Sequence, residues 1–541
     1  MKGLGRASWV ILSIIFFLGF ALTLWIGWQV PVYSDEYQWN FTNSRLLLDG
    51  GKLLYFFPGC ADGFLLNLPW TWLPSRFLDS LLFADASNPY LLRNTGWVLS
   101  LVLITMWSGL LKMSSGLTWR FSFLFVASFL GIGVLPFLLA FHRPEQTLLL
   151  WLNLTLLVGV WFIRHPVKQP SKQIGLCLLY ALLACLLVGS HPKGMFFLPL
   201  VLWASYKTLG RRLLVLVVCL IAIVAAWQTI GLWSVRTNCP ESQALTEMFY
   251  HMTVKPANLF LFHHPEGAVY LGRLNLGHWQ PYIQSISFGV QYQSNWLPPK
   301  LTALQWPLVN VANGTIWLAL FCLSSLLVCN LGKGLQSAVK GRGLLNLQLA
   351  AGLLLGCLIL QLAIDTKKSF YESALVWPVV LLIVILSFPL NSARLLVFVR
   401  KGIIPILMLV AILGGLTRYE VFKEFLPSWQ ESRNTSWHAV NLELQQFANE
   451  QCQIGPDAKR LILDDRTYPA FWKNPLPMLS YYVYGWWSQG MDYHKTIEQY
   501  RPDGLVTYCY ELPPDLEQLV QKKEAMCCAS KKSLEQLFLH R

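Results

Sequence analysis

Asp35 and Glu36 follow directly after the first long apolar stretch of the chain, in the sequence YSDEY. A charge is costly to hold beside lipid, so an acid at this depth is by default a candidate functional residue. A carboxylate placed there could act as the base that takes a proton from an attacking hydroxyl or amine. This pair is therefore the first candidate for catalysis.

Three further short segments between apolar stretches carry basic side chains, and two of them also carry acids. They are FHRPEQ at 141–146 with His142, Arg143 and Glu145, SHPKG at 190–194 with His191 and Lys193, and DTKKSFYE at 365–372 with Lys367, Lys368 and Tyr371. Lys and Arg can stabilise the negative charge that grows on a departing phosphate. Each segment alone could be a solvated helix end, whereas the set indicates one site at a membrane surface.

The elements that must position these residues are membrane helices. The chain is 55% apolar and 13% charged over 541 residues, which is more apolar sequence than one soluble core needs. Stretches long enough to cross a bilayer lie at 9–30, 95–111, 121–141, 147–163, 174–190, 195–206, 213–233, 308–330, 344–363, 373–390 and 402–416. The sequence therefore predicts an α-helical polytopic membrane protein with about eleven transmembrane helices, of which 195–206 and 402–416 are the shortest.

The segments between these stretches separate by charge. With the N-terminus inside, alternation places all 28 acidic residues on one side, while the other side carries only Lys and Arg. The cations of that second side are Lys2, Arg6, Lys112, Arg120, Arg164, Lys168, Lys172, Lys207, Arg211, Arg212, Lys333, Lys340, Arg342, Arg394, Arg400 and Lys401. By the positive-inside rule this side is the cytoplasm. We therefore expect an odd number of crossings, N-in and C-out, with the candidate residues facing outward.

The same pattern excludes two other interpretations. The first stretch is too long for the apolar core of a cleaved signal peptide and lacks a small-residue cleavage site, so a retained helix is expected. The net charge of +14 is largely topogenic, and no basic, aromatic-interleaved soluble module is present to hold a polyanion. We therefore expect no nucleic-acid partner.

The predicted domains are a transmembrane domain at 1–416, with outer loops at 31–94 and 234–307, and an outer domain at 417–541. The first loop contains short amphipathic pieces at 64–73 and 77–83 that are expected either at the interface or packed on the bundle. In the last segment, 460–465 and 503–509 read as buried strands, and 436–452 and 513–537 as helices. This pattern predicts a small extracytoplasmic α/β domain without a glycine-rich phosphate loop.

The twelve cysteines divide into two groups of different expected chemistry. Cys177, Cys185, Cys219, Cys322, Cys329 and Cys357 lie in apolar stretches and are expected as small core residues. Cys60, Cys239, Cys452, Cys509, Cys527 and Cys528 lie outside, where disulfides can form, but their pairing stays open. The run His251, His263, His264 and Glu266 has metal-ligand residue types without a recognised spacing, so no metal or other cofactor is predicted.

By these residues and their positions in the sequence, the chain resembles the GT-C superfamily of polytopic glycosyltransferases, in particular the group of protein mannosyltransferases and aminoarabinose transferases. The resemblance lies in the Asp35-Glu36 pair after the first span, the acid Glu145 in the second outer loop, the interfacial pieces of the first loop and the outer C-terminal domain. It implies transfer of a single sugar from a polyprenyl-phosphate donor to a lipid, glycan or protein acceptor. The Trp-Trp-Asp signature of oligosaccharyltransferases is absent, which disfavours transfer of a whole oligosaccharide.

The resemblance also implies roles for the candidate residues. Asp35 would be the catalytic base, and Glu36 or Glu145 would support it or position the acceptor. The donor-phosphate ligands would be Arg143, Lys193 and Lys367 or Lys368, with His142, His191 and Tyr371 in support. A divalent metal is used by some members of the superfamily and is not required by this sequence. The expected location is a bacterial inner membrane, with the site on the periplasmic side and membrane lipids around the helices.

Three alternatives stay open. A transporter or flippase for a lipid-linked glycan also needs cations near lipid phosphate, but it predicts polar residues along the spans. An O-antigen-type polymerase or ligase would use Arg and His of a large outer loop, and 234–307 contains Arg236 and Arg273 besides its histidines. A membrane scaffold would need none of the outward polar turns for chemistry. The acids directly after the first span favour the polyprenyl-phosphate glycosyltransferase.

Overall fold

The computed structural model describes most of the predicted helices and most of the C-terminal segment. The described residues are 6–31, 78, 89–136, 143–238, 286–288, 301–339, 345–364, 373–388, 393–464, 466–471, 474, 476–484 and 493–539. They form two compact units. The membrane-helix unit holds the described residues of 1–31, 96–224 and 257–430, and the C-terminal unit holds those of 32–95, 225–256 and 431–541.

Long apolar helices dominate the first of these. They are α1 (Arg6–Gln29), α2 (Leu92–Ser115), α3 (Trp119–Leu130), α4 (Pro144–Arg164), α5 (Pro170–Ser190), α6 (Leu198–Asn238), α7 (Gln305–Val339), α8 (Leu345–Ile364), α9 (Ser373–Ser387), α10 (Ala393–Phe398) and α11 (Ile404–Phe422). A 3-10 turn at Pro89–Leu91 precedes α2, another at Pro192–Phe197 precedes α6, and a π-helical turn at Val399–Ile403 joins α10 to α11. Among the described residues, seven helices are long and apolar enough to cross a membrane, and three shorter apolar ones accompany them.

Three of the predicted apolar stretches differ from the observed helices. From residue 198 onward, the stretches 195–206 and 213–233 lie in the one helix α6, which is interrupted at Gly210 by a φ of 78° and a ψ of 178°. The stretch 121–141 is not one continuous helix, because α3 ends at Leu130 and a turn through Gly131 and Gly133 follows. The chain is thus predominantly helical, as expected, while the number of crossings stays a prediction.

Small residues bring α1 and α11 into close contact. A side chain at Gly415 would place its Cβ 3.0 Å from the carbonyl oxygen of Gly19, so both backbones pack where no side chain intervenes. One turn further along both helices, Arg418 donates a hydrogen bond to Thr23 Oγ1. Because both contacts advance together along the two sequences, α1 and α11 run in the same direction.

The cation-bearing helix ends collect at one end of the bundle. Arg400 lies over the ring of Phe121 at 5.1 Å, and that ring also contacts Trp9 near the start of α1. Arg164, at the end of α4, donates to the carbonyl oxygen of Met113 near the end of α2. The starts of α2 and α4 therefore lie at the other end, about 30 Å away for a helix of this length.

The C-terminal unit contains a five-stranded sheet of the order β2-β1-β3-β5-β4. The strands are β1 (Arg460–Leu463), β2 (Leu476–Leu479), β3 (Gly504–Tyr508), β4 (Gln521–Lys523) and β5 (Met526–Ser530). Strands β1, β2 and β3 are parallel, whereas β5 pairs antiparallel with β3 and β4. Helix α12 (Leu426–Asn434) links the end of α11 to this unit. The helices around the sheet are α13 (Trp437–Cys452), α14 (Tyr468–Phe471), α15 (Ser480–Val483), α16 (Tyr493–Tyr500), α17 (Pro514–Glu517) and α18 (Lys531–Leu539).

Apolar side chains cover both faces of this sheet. Leu461 and Leu463 pack in one buried cluster with Phe447 of α13, while Ile462 packs in a second cluster with Ile497 of α16. Alternate residues of a strand point to opposite faces, so the run RLIL supplies apolar groups to both layers. This continuous apolar run is what a strand covered on both faces requires.

Most, but not all, of the predicted C-terminal elements are confirmed. The predicted strands at 460–465 and 503–509 correspond to β1 and β3, and the helix at 436–452 corresponds to α13. The helix predicted at 513–537 is wrong. That segment instead contains α17, the hairpin β4–β5 and the start of α18, because residues 526–530 complete the sheet beside β3.

Two disulfides fix β5 within the C-terminal unit. Cys452 at the end of α13 is bonded to Cys528, and Cys509 just beyond β3 is bonded to Cys527. The other two outer cysteines, Cys60 and Cys239, lie outside the described residues. The six cysteines of the apolar stretches are unbonded. Cys177 and Cys357 are buried as predicted, whereas Cys185 is half-buried and the prediction of core positions is wrong for Cys219, Cys322 and Cys329, which lie on the surface of their helices. The structure thus assigns the disulfide partners of four of the six outer cysteines, which the sequence had left open.

Loss of the Cys509–Cys527 disulfide is expected to lower the stability of the C-terminal unit by about 3 kcal/mol, the chain-entropy value for a closed loop of this length. The variant should replace both residues with Ser, so that no thiol is left to exchange with Cys528. Urea-dependent protease susceptibility of the full-length protein in detergent measures the change. Cys322→Ser is the matched control at an unbonded, exposed cysteine, and equal stability of both variants would contradict the prediction.

Candidate functional site

The first part of the site is an ion pair at the start of α4. Pro144 and Glu145 open the helix, and Arg143 precedes it in an extended conformation. The guanidinium of Arg143 donates from Nε to Glu145 Oε2 at 3.0 Å and from Nη2 to Glu145 Oε1 at 3.1 Å. An extended residue followed by a helical turn brings side chains two positions apart into this two-pronged contact. The Glu145 side chain is only 2% exposed.

The second part of the site comes from the turn between α5 and α6. His191 Nδ1 accepts a hydrogen bond of 3.0 Å from the backbone N–H of Lys193, which fixes the imidazole at the start of the 3-10 turn. Gly194 lets this turn lie against the end of α5, because a Cβ there would stand 2.0 Å from the carbonyl oxygen of Leu187. The short motif SHPKG thus holds both side chains in place.

These two turns meet at Glu145. Its Oε1 lies 3.7 Å from Lys193 Nζ and 3.9 Å from His191 Nε2. The Arg143 and Lys193 side chains are 10% and 12% exposed. One carboxylate therefore faces two permanent cations and an imidazole in a largely buried cluster. We call Arg143, Glu145, His191 and Lys193 the cationic cluster, since its formal charges leave an excess of positive charge.

An apolar cavity lies next to the cationic cluster. Gln146 follows Glu145 in α4 and donates from Nε2 to the carbonyl oxygen of Gly96 at 3.0 Å and to Ser100 Oγ at 3.2 Å. Ser100 is also the polar member of the lining of a cavity of about 340 Å³ between α1, α2 and α3. The remaining lining residues are Phe20, Leu24, Trp25, Trp28, Trp97, Leu101, Ile104, Leu130 and Pro136. One hydrogen-bonded side chain thus links the cluster to an aromatic-rich cavity.

The structure brings together four of the ten predicted site residues. Arg143, Glu145, His191 and Lys193 form the cationic cluster described above. The remaining six, which are Asp35, Glu36, His142, Lys367, Lys368 and Tyr371, lie outside the described residues. Helix α8 packs against the turn that carries Lys193, and it ends at Ile364, directly before the 365–372 segment in sequence. Across the described ranges, no group of His, Cys, Asp and Glu could hold a metal ion, and the His251 to Glu266 run is not among them.

Sequence analysis missed two residues that organise this unit. Gln146 was part of the FHRPEQ run, but its contacts with α2 could not be read from the sequence. Arg418 lies beyond the predicted end of the last span and is 0% exposed in α11. Its Nε donates to the carbonyl oxygen of Gly133 and its Nη2 to that of Gly131, both at 2.6 Å. An Arg flanking an apolar stretch was the available signal.

Searches of protein families, of curated proteins and of solved structures find no match to this chain. The class of the protein therefore follows from its own architecture. That architecture combines a bundle of apolar helices, compatible with an integral membrane protein, with a buried cationic cluster beside an apolar cavity. An α/β unit with two disulfides follows the last helix of the bundle.

Proposed function

We propose that this protein is a membrane glycosyltransferase that moves a single sugar from a polyprenyl-phosphate donor to an acceptor on the extracytoplasmic face. The observation that carries the proposal is the cationic cluster beside the apolar cavity, joined through Gln146 and Ser100. A polyprenyl phosphate has the same two parts, an anionic head and a long apolar tail. The acceptor would be a lipid, a glycan or a protein.

The cationic cluster suits a phosphate for reasons of charge and geometry. Arg143 and Lys193 are fixed by Glu145, so little side-chain freedom is lost when an anion binds. Within the cationic cluster, the carboxylate of Glu145 stands against the two permanent positive charges of Arg143 and Lys193. A phosphate that approaches the cluster would therefore meet a positive charge in a site of low water content, where electrostatic attraction is strong. Neutral ligands would gain nothing from this arrangement.

The proposed reaction follows from this placement of charge. Asp35 takes the proton from the acceptor hydroxyl or amine, and the acceptor atom forms a bond to the anomeric carbon of the sugar. The bond between that carbon and the phosphate oxygen breaks, and its electron pair leaves with the polyprenyl phosphate. Arg143 and Lys193 stabilise the additional negative charge on the departing phosphate. No oxidant, reductant or nucleotide is consumed.

Three observations support an outward-facing site, and the proposed location is a bacterial inner membrane. The cationic cluster stands at the bundle end away from Arg164 and Arg400, which the positive-inside rule assigns to the cytoplasm. The first and last described helices of the bundle run in the same direction, as an odd number of crossings requires. Disulfides in the C-terminal unit fit an oxidising compartment. The proposed topology is therefore N-in and C-out with about eleven crossings.

Release of polyprenyl phosphate tests the proposed function. Purified protein is incubated with a panel of polyprenyl-phosphate sugars and a membrane extract that supplies acceptors, and the freed lipid phosphate is measured. We expect release from one donor by the wild type and a loss of at least about 100-fold with Asp35→Asn, because a general base contributes about this much. A scaffold would release no lipid phosphate from any donor.

The rival functions give different results in the same assay. A flippase would bind the lipid-linked sugar without release, and Asp35→Asn would bind it equally well. A polymerase or ligase of the O-antigen type would release lipid diphosphate from a diphosphate-linked donor instead. Either result would replace the proposed function.

Substitution of Lys193 tests the phosphate assignment separately. Lys193→Ala is expected to weaken donor binding by about 10- to 100-fold, because it removes one charge-assisted hydrogen bond to phosphate. Lys193→Arg keeps the charge and should lose less than about tenfold. Donor affinity is measured by quenching of tryptophan fluorescence in detergent.

Lys423→Ala is the control for this comparison. Lys423 pairs with Glu420 at the exposed end of α11, so its loss should leave donor affinity unchanged. Equal donor affinity for Lys193→Ala and Lys193→Arg would contradict a charge role for this side chain.

A further inference from the structure

The carboxyl ends of the parallel strands in the C-terminal unit carry an exposed group of cationic and aromatic side chains. Arg466 follows β1, Tyr508 ends β3 and Tyr510 lies two residues further on. The guanidinium carbon of Arg466 is 4.8 Å from the ring centre of Tyr508 and 5.7 Å from that of Tyr510. The two rings are 6.1 Å apart at an angle of 62°. We call these three residues the Arg–Tyr platform.

The Arg–Tyr platform rests on a rigid base. The buried carboxylate of Asp464 accepts hydrogen bonds from the backbone N–H of Arg466 at 2.9 Å and of Tyr508 at 2.6 Å. One side chain thus ties the two loops that carry the platform. Cys509 stands between the two tyrosines, and its disulfide to Cys527 anchors their loop to β5. The platform is therefore ordered before any ligand arrives.

The position of the platform in the sheet favours a binding role. In the strand order β2-β1-β3, the chain passes from β1 to β2 on one side of β1 and then to β3 on the other side of β1. The carboxyl ends of β1 and β3 therefore form a topological switch point, where open α/β sheets bind their ligands. Tyr510 is 65% exposed there, although a ring of this size gains from burial. A ligand would provide that burial.

The chemistry of the platform selects the ligand class. A guanidinium stacked on aromatic rings has fixed donor directions and suits carboxylate or phosphate groups. Tyrosine rings offer flat apolar faces on which the C–H groups of a sugar ring can stack. The disulfides of the same unit fit an oxidising, extracytoplasmic compartment, where the ligand would be a glycan of the cell surface. The three properties agree on one class of ligand.

We propose that the Arg–Tyr platform binds an acidic sugar residue of an extracytoplasmic glycan. The acidic group lies on the guanidinium of Arg466, and the sugar ring stacks on Tyr510. The site is built only from residues of the C-terminal unit and does not depend on the proposed glycosyl transfer. It would give the protein a second contact with the glycans of its compartment.

Binding of defined oligosaccharides to the full-length protein in detergent tests the platform. The probes are trigalacturonate, a hyaluronate hexamer and a phosphorylated mannotriose, with maltotriose as the neutral comparison, and isothermal titration calorimetry gives each Kd. We expect at least one acidic probe to bind and maltotriose to bind about tenfold more weakly or not at all, since a charge-assisted contact is worth at least this much. Raised salt should weaken the acidic probe alone.

Variants separate the platform from the rest of the surface. Arg466→Gln should weaken the acidic probe by at least about tenfold, and Tyr510→Ala by about fivefold through lost stacking. Arg501→Gln is the matched control. Arg501 is also an exposed arginine, but it lies just before the amino end of β3, whereas the platform lies at the carboxyl ends of the strands. The Kd of this variant for the acidic probe should stay within about twofold of the wild-type Kd, which is a smaller change than the loss of any contact in the site would cause. Protease susceptibility of each variant confirms that the unit is folded.

Three outcomes would overturn the proposal. The first is that no acidic probe binds to the wild type. The second is that an acidic probe binds but Arg466→Gln and Tyr510→Ala leave its Kd unchanged. The third is that maltotriose binds as tightly as the acidic probes and is insensitive to Arg466→Gln. Because none of these measurements involves a lipid-linked donor, they leave the proposed glycosyl transfer untouched.

Discussion

Replacement of Glu145 by Gln is expected to destabilise the membrane-helix unit by about 3 to 5 kcal/mol, the usual cost of removing one partner from a buried ion pair. Glu145 is almost wholly buried, and its carboxylate contacts Arg143, Lys193 and His191. The amide of Gln can keep one hydrogen bond to the guanidinium but brings no charge. The variant would therefore no longer supply the negative charge that lies between the two permanent cations. Unfolding in a mixed-micelle titration with SDS measures the loss.

The control for this substitution is Glu420→Gln. Glu420 forms an ion pair with Lys423 one turn later in α11, and both side chains are more than a third exposed. Surface pairs of this kind contribute about 0 to 1 kcal/mol, so the control should unfold like the wild type. A second variant, Glu145→Gln with Lys193→Met, removes one cation as well. It should recover part of the lost stability if repulsion between the cations is the cause.

The Glu145→Gln variant also separates two roles of this carboxylate. If Glu145 holds the cations for a donor phosphate, polyprenyl phosphate should stabilise the variant more than it stabilises the wild type, because the phosphate takes the place of the missing charge. If Glu145 is instead a catalytic acid or base, the variant would be as stable as the wild type and would lose only the rate of transfer. That second result would contradict the counter-ion role that the contacts indicate.

The cationic cluster could be largely anticipated from the sequence because its residues are confined to short turns. Arg143 with Glu145 and His191 with Lys193 lie between consecutive apolar stretches and on the same predicted side, so a compact bundle could bring their turns together. The pairing inside the cluster could not be anticipated. It depends on the extended backbone of Arg143 and on the hydrogen bond from the Lys193 N–H to the imidazole of His191. Such local details follow from backbone geometry and not from residue type.

The C-terminal unit shows where pattern reading succeeds and where it fails. Strands β1 and β3 were predicted because RLIL and GLVTY are continuous apolar runs of strand length, as a sheet covered on both faces requires. Strand β5 was assigned to a helix because MCCAS has no clear strand signal and charged residues surround it. Its position depends on pairing with β3 and on disulfides to two distant elements, which are long-range contacts that no local window contains.

The second large effect is expected at Arg418. Replacement of Arg418 by Met should destabilise the membrane-helix unit by about 4 kcal/mol, because about 1 to 3 kcal/mol is lost for each buried polar group that is left without its hydrogen-bond partner. Helix α3 ends at Leu130 within the bundle, and a turn through Gly131 and Gly133 follows. Arg418 donates to the carbonyl oxygens of Gly131 and Gly133 and to Thr23 Oγ1. Methionine fills a similar volume but donates no hydrogen bond.

The turn that Arg418 holds is closely packed on the side of Gly133. Gly133 has a φ of +53°, and a Cβ at this position would stand 1.8 Å from the carbonyl oxygen of Ile286, so the backbone cannot shift toward that side to find other donors. Arg418→Lys keeps the charge but replaces a planar group of five donors with one ammonium, and it should recover about half of the lost stability. Arg400→Met is the control, since Arg400 lies at the exposed end of the bundle over Phe121. If Arg418→Met unfolded at the same SDS fraction as Arg400→Met, the carbonyl groups of the α3 turn would not depend on Arg418. A stable Arg418→Met would mean that the carbonyl oxygens of Gly131 and Gly133 find other hydrogen-bond donors.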